Sequence, residues 1–203
     1  MRFLLVGLTF LILGTGAWAG DHASTNLVIS SEQFKALTDK AKTGDPDAEF
    51  ILGRCYFQGL GVTQNKTEAL KWFEKAADQG IVEAEMMVGI SYWTGVDVKM
   101  DAARGVKWFR KAADQGEPGA FHYLGAAYYL GRGVKQDYVQ CYKWTLLFMH
   151  SGRSCIPDDA ASVDLQVADV VGRLTAKQII EGKRLAEEAE AKLSKMPAFW
   201  KGP

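Results

Sequence analysis

The 203-residue chain sets 24 lysines and arginines against 24 aspartates and glutamates, and 48% of its residues are hydrophobic. A neutral chain has no electrostatic footprint for nucleic acid and no strong attraction to anionic lipid, and so apolar a composition excludes wholesale disorder. The length leaves room for one ordinary domain or one short repeat array.

Residues 1–19 differ from the rest. Arg2 is their lone charge, residues 3–13 are an apolar run, Gly14-Thr15-Gly16 breaks any helix, and Ala17-Trp18-Ala19 is a small-x-small tripeptide. That order is the signature of a secretory signal peptide cleaved after Ala19. The run covers about eleven residues, short of the roughly 20 that span a bilayer. No cysteine stands directly after the cleavage site to carry a lipid. Residues 20–30 then form a linker. No further apolar stretch of spanning length occurs, so no membrane insertion is expected after cleavage.

Residues 31–195 are expected to form one repeat domain. A capping helix over 31–44 aligns with the second half of a repeat, because Gly44 lies one period before Gly80. Three copies follow without insertion or deletion, 45–80, 81–116 and 117–152, with a period of 36 residues. Ala48, Ala84 and Ala120 mark that period, as do Tyr56, Tyr92 and Tyr128, and Trp72, Trp108 and Trp144. Lys75-Ala76-Ala77-Asp78-Gln79-Gly80 returns unchanged one period later.

Each copy divides into two helices. The first opens at Asp45-Pro46 or Glu117-Pro118, with proline in the first turn, and runs through Ala48, Leu52 and Tyr56 on one stripe. Gly59 ends it, being able to enter the left-handed region without a side-chain penalty. A short turn, Gly59-x-Gly61-Val62, leads to the second helix. Asn65 with Glu68 and Asp137 with Gln140 have capping-box spacing, while Asp101 faces Arg104 and keeps half of the device. Ala69, Trp72, Phe73, Ala76 and Ala77 form its apolar face, and Gly80, Gly116 and Gly152 stop the second helices. Such hairpins cannot bury their apolar faces alone, so the copies must stack. The fold expected is all-α, a short right-handed α-solenoid. Helices over 158–171 and 175–194 close it, the last with Ile179, Ile180, Leu185, Ala186, Ala189 and Leu193 on its apolar side. Residues 196–203 are a tail.

The pattern Ala48…Leu52-Gly53…Tyr56…Gly59-x-Gly61-Val62…Trp72…Ala76-Ala77…Gly80, with its two echoes, resembles the SEL-1-like repeat family, relatives of the tetratricopeptide repeats. The resemblance implies a tetratricopeptide-like superhelix that binds protein or peptide partners, often exported and used in signalling, envelope regulation or host contact. It implies a periplasmic location, with secretion as the alternative. Asp97 departs from the pattern at the second turn glycine, and Thr145-Leu146-Leu147-Phe148-Met149 replaces the double alanine in the third copy.

Cysteine-rich members of that family have been linked to β-lactam binding or hydrolysis, which sets a cell-wall-related enzyme or ligand-binding protein as the alternative function. This chain lacks their paired cysteines, and it contains no Ser-x-x-Lys, His-x-x-x-His or Cys-x-x-Cys. No catalytic residue, metal site or cofactor is expected. In an oxidising compartment three cysteines allow at most one internal bridge; Cys141 and Cys155 are the nearest pair, and three buried thiols are the alternative.

The candidate partner surface is a stripe on the first helices. Phe50, Arg54 and Phe57 share a face, and their equivalents are Met86, Ile90 and Trp93, then His122, Ala126 and Tyr129. Position 57 and its equivalents are aromatic in every copy, and aromatic side chains are enriched at binding hot spots. The same stripe could instead pack between repeats, because a first helix touches two neighbours.

Overall fold

The computed structural model describes residues 29–96, 98–151 and 160–195, with only the backbone described for 160–166. The segment expected to be a signal peptide, most of the expected linker, Asp97, Gly152, Cys155 and the tail lie outside the described residues. Those described form nine helices and no strand: α1 (Ser31–Lys42), α2 (Pro46–Gln58), α3 (Lys66–Asp78), α4 (Val82–Thr94), α5 (Ala102–Asp114), α6 (Pro118–Leu130), α7 (Tyr138–His150), α8 (Ala160–Arg173) and α9 (Ala176–Leu193). Helices α2–α3, α4–α5 and α6–α7 pair as hairpins, and α3 packs on α4 as α5 packs on α6. The chain is therefore an all-α solenoid, capped by α1 at one end and by α8 and α9 packed on α7 at the other.

Local signals act as their chemistry requires. Asp45 accepts from the Ala48 amide ahead of Pro46, and Glu117 accepts from the Gly119 amide ahead of Pro118. Gly59, Gly95 and Gly131 end the first helices with positive φ, 77°, 72° and 65°. Asn65, Asp101 and Asp137 cap the second helices with their side chains. The reciprocal half of the capping box expected at Asn65 and Asp137 does not form there. The amides of Asn65, Asp101 and Asp137 donate instead to the carbonyls of Tyr56, Tyr92 and Tyr128, which ties each turn to the preceding helix. Complete capping boxes form only at α1 (Ser30 with Gln33) and α9 (Thr175 with Gln178), among the described residues.

Packing follows the period. Leu52, Val88 and Leu124 are fully buried on the first helices, as are Ala76, Phe73, Phe109 and Ala112 on the second. A methyl group at Gly53 would lie 2.6 Å from the Phe73 ring, and one at Gly89 would lie 2.6 Å from Phe109. The missing side chain on one helix is thus the space that the aromatic ring of its partner fills. Thr145 stands at the ring position in the third copy and leaves Gly125 more room, 3.3 Å to its hydroxyl oxygen.

A polar clamp also repeats. Gln79 Nε2 donates to the Glu49 carboxylate at 2.7 Å and to the Gly44 carbonyl at 3.1 Å. One period later Gln115 Nε2 donates to Glu85 at 3.0 Å and to the Gly80 carbonyl at 3.3 Å. The clamp joins the start of a first helix to the end of its second helix and to the turn before both. Phe121 and Ser151 occupy the corresponding positions of the third copy, so both partners are replaced together.

On α9 the buried side is Gly182 and Ala186, with Ile179, Ala189 and Leu193 packed against the core. Ile180 does not join them. It is 68% exposed, because one helical step of about 100° from Ile179 turns it off the packed face.

Candidate functional site

Leaving aside Ala126, which is half-buried, the eight larger side chains of the first-helix stripe do not form one surface. Phe50, Met86 and Trp93 are buried. The Phe50 ring lies 5.7 Å from Phe73, and Trp93 sits edge-on to both Phe109 and Tyr123 at 6.0 and 6.3 Å. Met86 belongs to the same apolar cluster as Trp93 and Phe121, so these three side chains lie in the interior between helices.

The other five reach solvent to different degrees. Phe57 is exposed at 37%, with Lys66 Nζ 6.0 Å from its ring. Arg54, Ile90 and His122 are half-buried, and Ile90 packs at the edge of the cluster that holds Trp93. His122 lies against the rings of Tyr123 and Phe148. Tyr129 is half-buried under the end of the array: its hydroxyl donates to Asp169 of α8 at 2.8 Å, and its ring stands edge-on to Tyr138. Arg173 grips the same Asp169 carboxylate, and these two donors hold its carboxyl below the usual aspartate range, Arg173 having the larger effect. The aromatic position of this stripe is thus partly open to solvent at Phe57, whose ring also lies 6.4 Å from Phe73, while it turns to the interior at Trp93 and to α8 at Tyr129.

The thiols are chemically quiet. Cys55 and Cys141 are both free and buried, and burial pushes each thiol up to about 11. A thiol so rarely ionised near neutral pH is a poor nucleophile and a poor metal ligand. Cys155, its proposed bridging partner, lies outside the described residues. No group of three or more His, Cys, Asp or Glu side chains among the described residues is placed to hold a metal ion.

The profile described as Sel1 repeat matches residues 46–81, 82–117 and 120–147, the three hairpins of the solenoid. A Sel1 repeat protein from Oxalobacter formigenes has a solved structure that is 30% identical in sequence, with a TM-score of 0.58; the alignment covers 68% of this chain and 98% of that one. The chain belongs to the Sel1 repeat family. Another similar structure is that of c5321, a protective antigen present in uropathogenic Escherichia coli strains, at 32% identity and a TM-score of 0.63 over 82% of this chain. A putative Sel1-like repeat-containing protein of Acanthamoeba polyphaga mimivirus is 46% identical over 39 residues, 19% of this chain. The chain spans 36% of the length of c5321 and 7% of the viral protein.

The Sel1 signature explains the interior. Ala48, Leu52, Ala76 and Ala77 are buried, and Gly53 admits the Phe73 ring. Contacts between successive Sel1 repeats were not visible in the period, and several carry charge. Arg132 of the third repeat reaches Trp93 of the second, and Arg110 of the second reaches Tyr128 of the third. The available signal was a break in the pattern: Met100 stands between Gln64 and Gln136, and Arg110 stands where the first repeat has Glu74.

Proposed function

We propose that this Sel1 repeat protein is an exported scaffold of the bacterial envelope that holds a protein or peptide partner along its first helices. Sel1 repeats generally mediate protein interactions. The observation that carries the reading here is Phe57, a large aromatic side chain left 37% exposed on α2 beside half-buried Arg54 and followed one repeat later by half-buried Ile90. An exposed aromatic next to a guanidinium is the residue pair that interface hot spots favour. Export rests on the charged start, short apolar run and Ala17-Trp18-Ala19 site of the leader.

Two measurements test the reading. A photocrosslinking residue at position 57 or 90, irradiated in living cells, should capture one discrete polypeptide, and the same residue at the exposed position 180 should not. Equal labelling from all three positions would reject the groove. The protein recovered from the periplasmic fraction should begin at Gly20, and a mass that retains residues 1–19 in the cytoplasmic fraction would reject export.

A further inference from the structure

The junctions between successive repeats are built on one plan but differ in charge. At the first junction, the Tyr92 hydroxyl of α4 donates to the Glu74 carboxylate of α3 at 2.7 Å. Arg104 of α5 lies 4.0 Å from the Tyr92 ring centroid and reaches the same carboxylate at 3.4 Å. That junction contains its own anion and its own cation. One period later Tyr128 replaces Tyr92, Arg110 replaces Glu74 and Gln140 replaces Arg104. The Arg110 Nη2 now donates to the Tyr128 hydroxyl at 2.8 Å, and no carboxylate is supplied. Among the described residues neither Arg110 nor Lys135 has an acidic partner within ion-pairing distance.

The space beside this second junction is open. A cleft of about 620 Å³ is lined by Arg110, Tyr128, Lys135, Gln136, Asp137 and Gln140, with Val134 at its side. Asp137 is the one carboxylate in the lining, and its Oδ1 already accepts from the amides of Val139 and Gln140 as the cap of α7. Two cations therefore face one anion that is engaged with backbone.

We infer that this cleft binds a carboxylate of a peptide, taking from outside the anion that Glu74 supplies at the preceding junction. Arg110 would hold it in a forked, charge-assisted pair, and Lys135 would add a point charge. Tyr128, which accepts from Arg110, keeps its own hydroxyl proton to donate, and Gln140 brings an amide donor from the position that Arg104 occupies one repeat earlier. The cleft lies among α5, α6 and the α6–α7 turn, apart from the Phe57 stripe. It depends on the scaffold reading only for the expectation that the carboxylate arrives on a polypeptide, either as an acidic side chain or as a chain end.

The test uses the full-length protein and three short N-acetylated peptides. One has a single internal glutamate and an amidated end, one has no acidic side chain but a free carboxyl terminus, and one is neutral and amidated. NMR should show the Arg110 Nε–H and Gln140 side-chain amide signals shifting saturably with at least one carboxylate peptide, and the one that binds names the source. R110M should weaken that binding roughly tenfold, as the loss of one charge-assisted pair predicts. R110E/Q140R transplants the closed junction, so it should melt no lower than the parent and lose the response. Shifts with the neutral peptide as large as with the acidic ones, no shift with either carboxylate, or undiminished binding by R110E/Q140R would each overturn the proposal. Crosslinks lost from position 57 while these shifts persist would reject the groove and leave the cleft standing.

Discussion

Arg132 reaches back one repeat to Trp93, where its Nη2 donates to the Trp93 carbonyl at 2.5 Å and its guanidinium lies 4.4 Å from the indole centroid. The last carbonyls of a helix have no partner within it and must be satisfied from outside. In the first and third copies a glutamine of the following turn does this: Gln64 donates to the Phe57 carbonyl and Gln136 to the Tyr129 carbonyl, both at 2.7 Å. Met100 stands at that position in the second copy and has no amide to offer. The neighbouring repeat supplies the donor instead, turning a contact within one hairpin into a clamp between two.

Removing that clamp should be costly and repairable. R132M should lower the unfolding free energy by about 1–2 kcal/mol, combining a charge-assisted hydrogen bond with a cation–π contact. M100Q should recover part of the loss in the R132M background and do little in the parent, because there the carbonyl is already served. Urea titrations of the four proteins close the cycle. Additive effects would show that Arg132 and position 100 do not serve the same group.

Acidity should act on the second clamp. Glu85 is 3% exposed, and burial pushes its carboxyl up to about 7; the Gln115 amide and the more distant Lys111 oppose that rise, while Asp114 adds to it. Below about pH 4.5 both folded and unfolded chains hold the proton, and Glu85 carries no penalty. Between 4.5 and 7 only the folded chain keeps it, so stability falls as pH rises, and above 7 the full penalty of burying a carboxylate is present. At 1.36 kcal/mol per unit the difference is about 3 kcal/mol. E85Q, whose amide oxygen can still accept from Gln115, should be more stable than the parent at pH 8 by about 1–3 kcal/mol. The two should converge below about pH 4.5. An E85Q protein that melts lower at pH 8 would mean that the ionised carboxylate is favoured in place.

What the amino-acid sequence made legible was the equivalence of positions. The 36-residue spacing and its glycines identify the hairpins, their turns and their apolar faces, because every copy must bury the same stripe against the next. The environment of each equivalent position was not legible. Phe57, Trp93 and Tyr129 occupy one register but meet solvent, the Phe109–Tyr123 stack and α8 respectively. That depends on which element follows each helix in space, which a period does not encode. The same limit hid the missing capping boxes, since the amides of Asn65 and Asp137 are taken by carbonyls nine residues upstream, at Tyr56 and Tyr128.

The split in the stripe separates stability from binding. Trp93 is 7% exposed and touches Phe109, Tyr123 and Arg132, so W93A should lose about 3–5 kcal/mol, the usual cost of truncating a large buried aromatic. F57A removes a side chain already 37% exposed and should lose less than about 1 kcal/mol. If the groove holds a partner, F57A should weaken capture while its melt stays near that of the parent. A melt lowered as far by F57A as by W93A would place Phe57 in the interior and remove it from the partner surface.

The three packing glycines should respond unequally to the same substitution. Alanine in place of glycine inside a helix gains about 1 kcal/mol from backbone entropy and propensity alone. At Gly53 and Gly89 the new methyl would lie 2.6 Å from the rings of Phe73 and Phe109, both fully buried and held by their neighbours. Overpacking of that kind costs about 1–3 kcal/mol, so G53A and G89A should be destabilised on balance. At Gly125 the nearest atom is the Thr145 hydroxyl oxygen at 3.3 Å, which donates to the Cys141 carbonyl and would lose by a slight movement only a weak 4.0 Å contact with the Cys141 thiol. G125A should therefore change stability by less than about 1 kcal/mol in either direction. Thermal melts of the three variants decide the matter: losses of equal size at all three positions would mean that helix-to-helix distance, and not the ring that fills the glycine's place, sets the requirement.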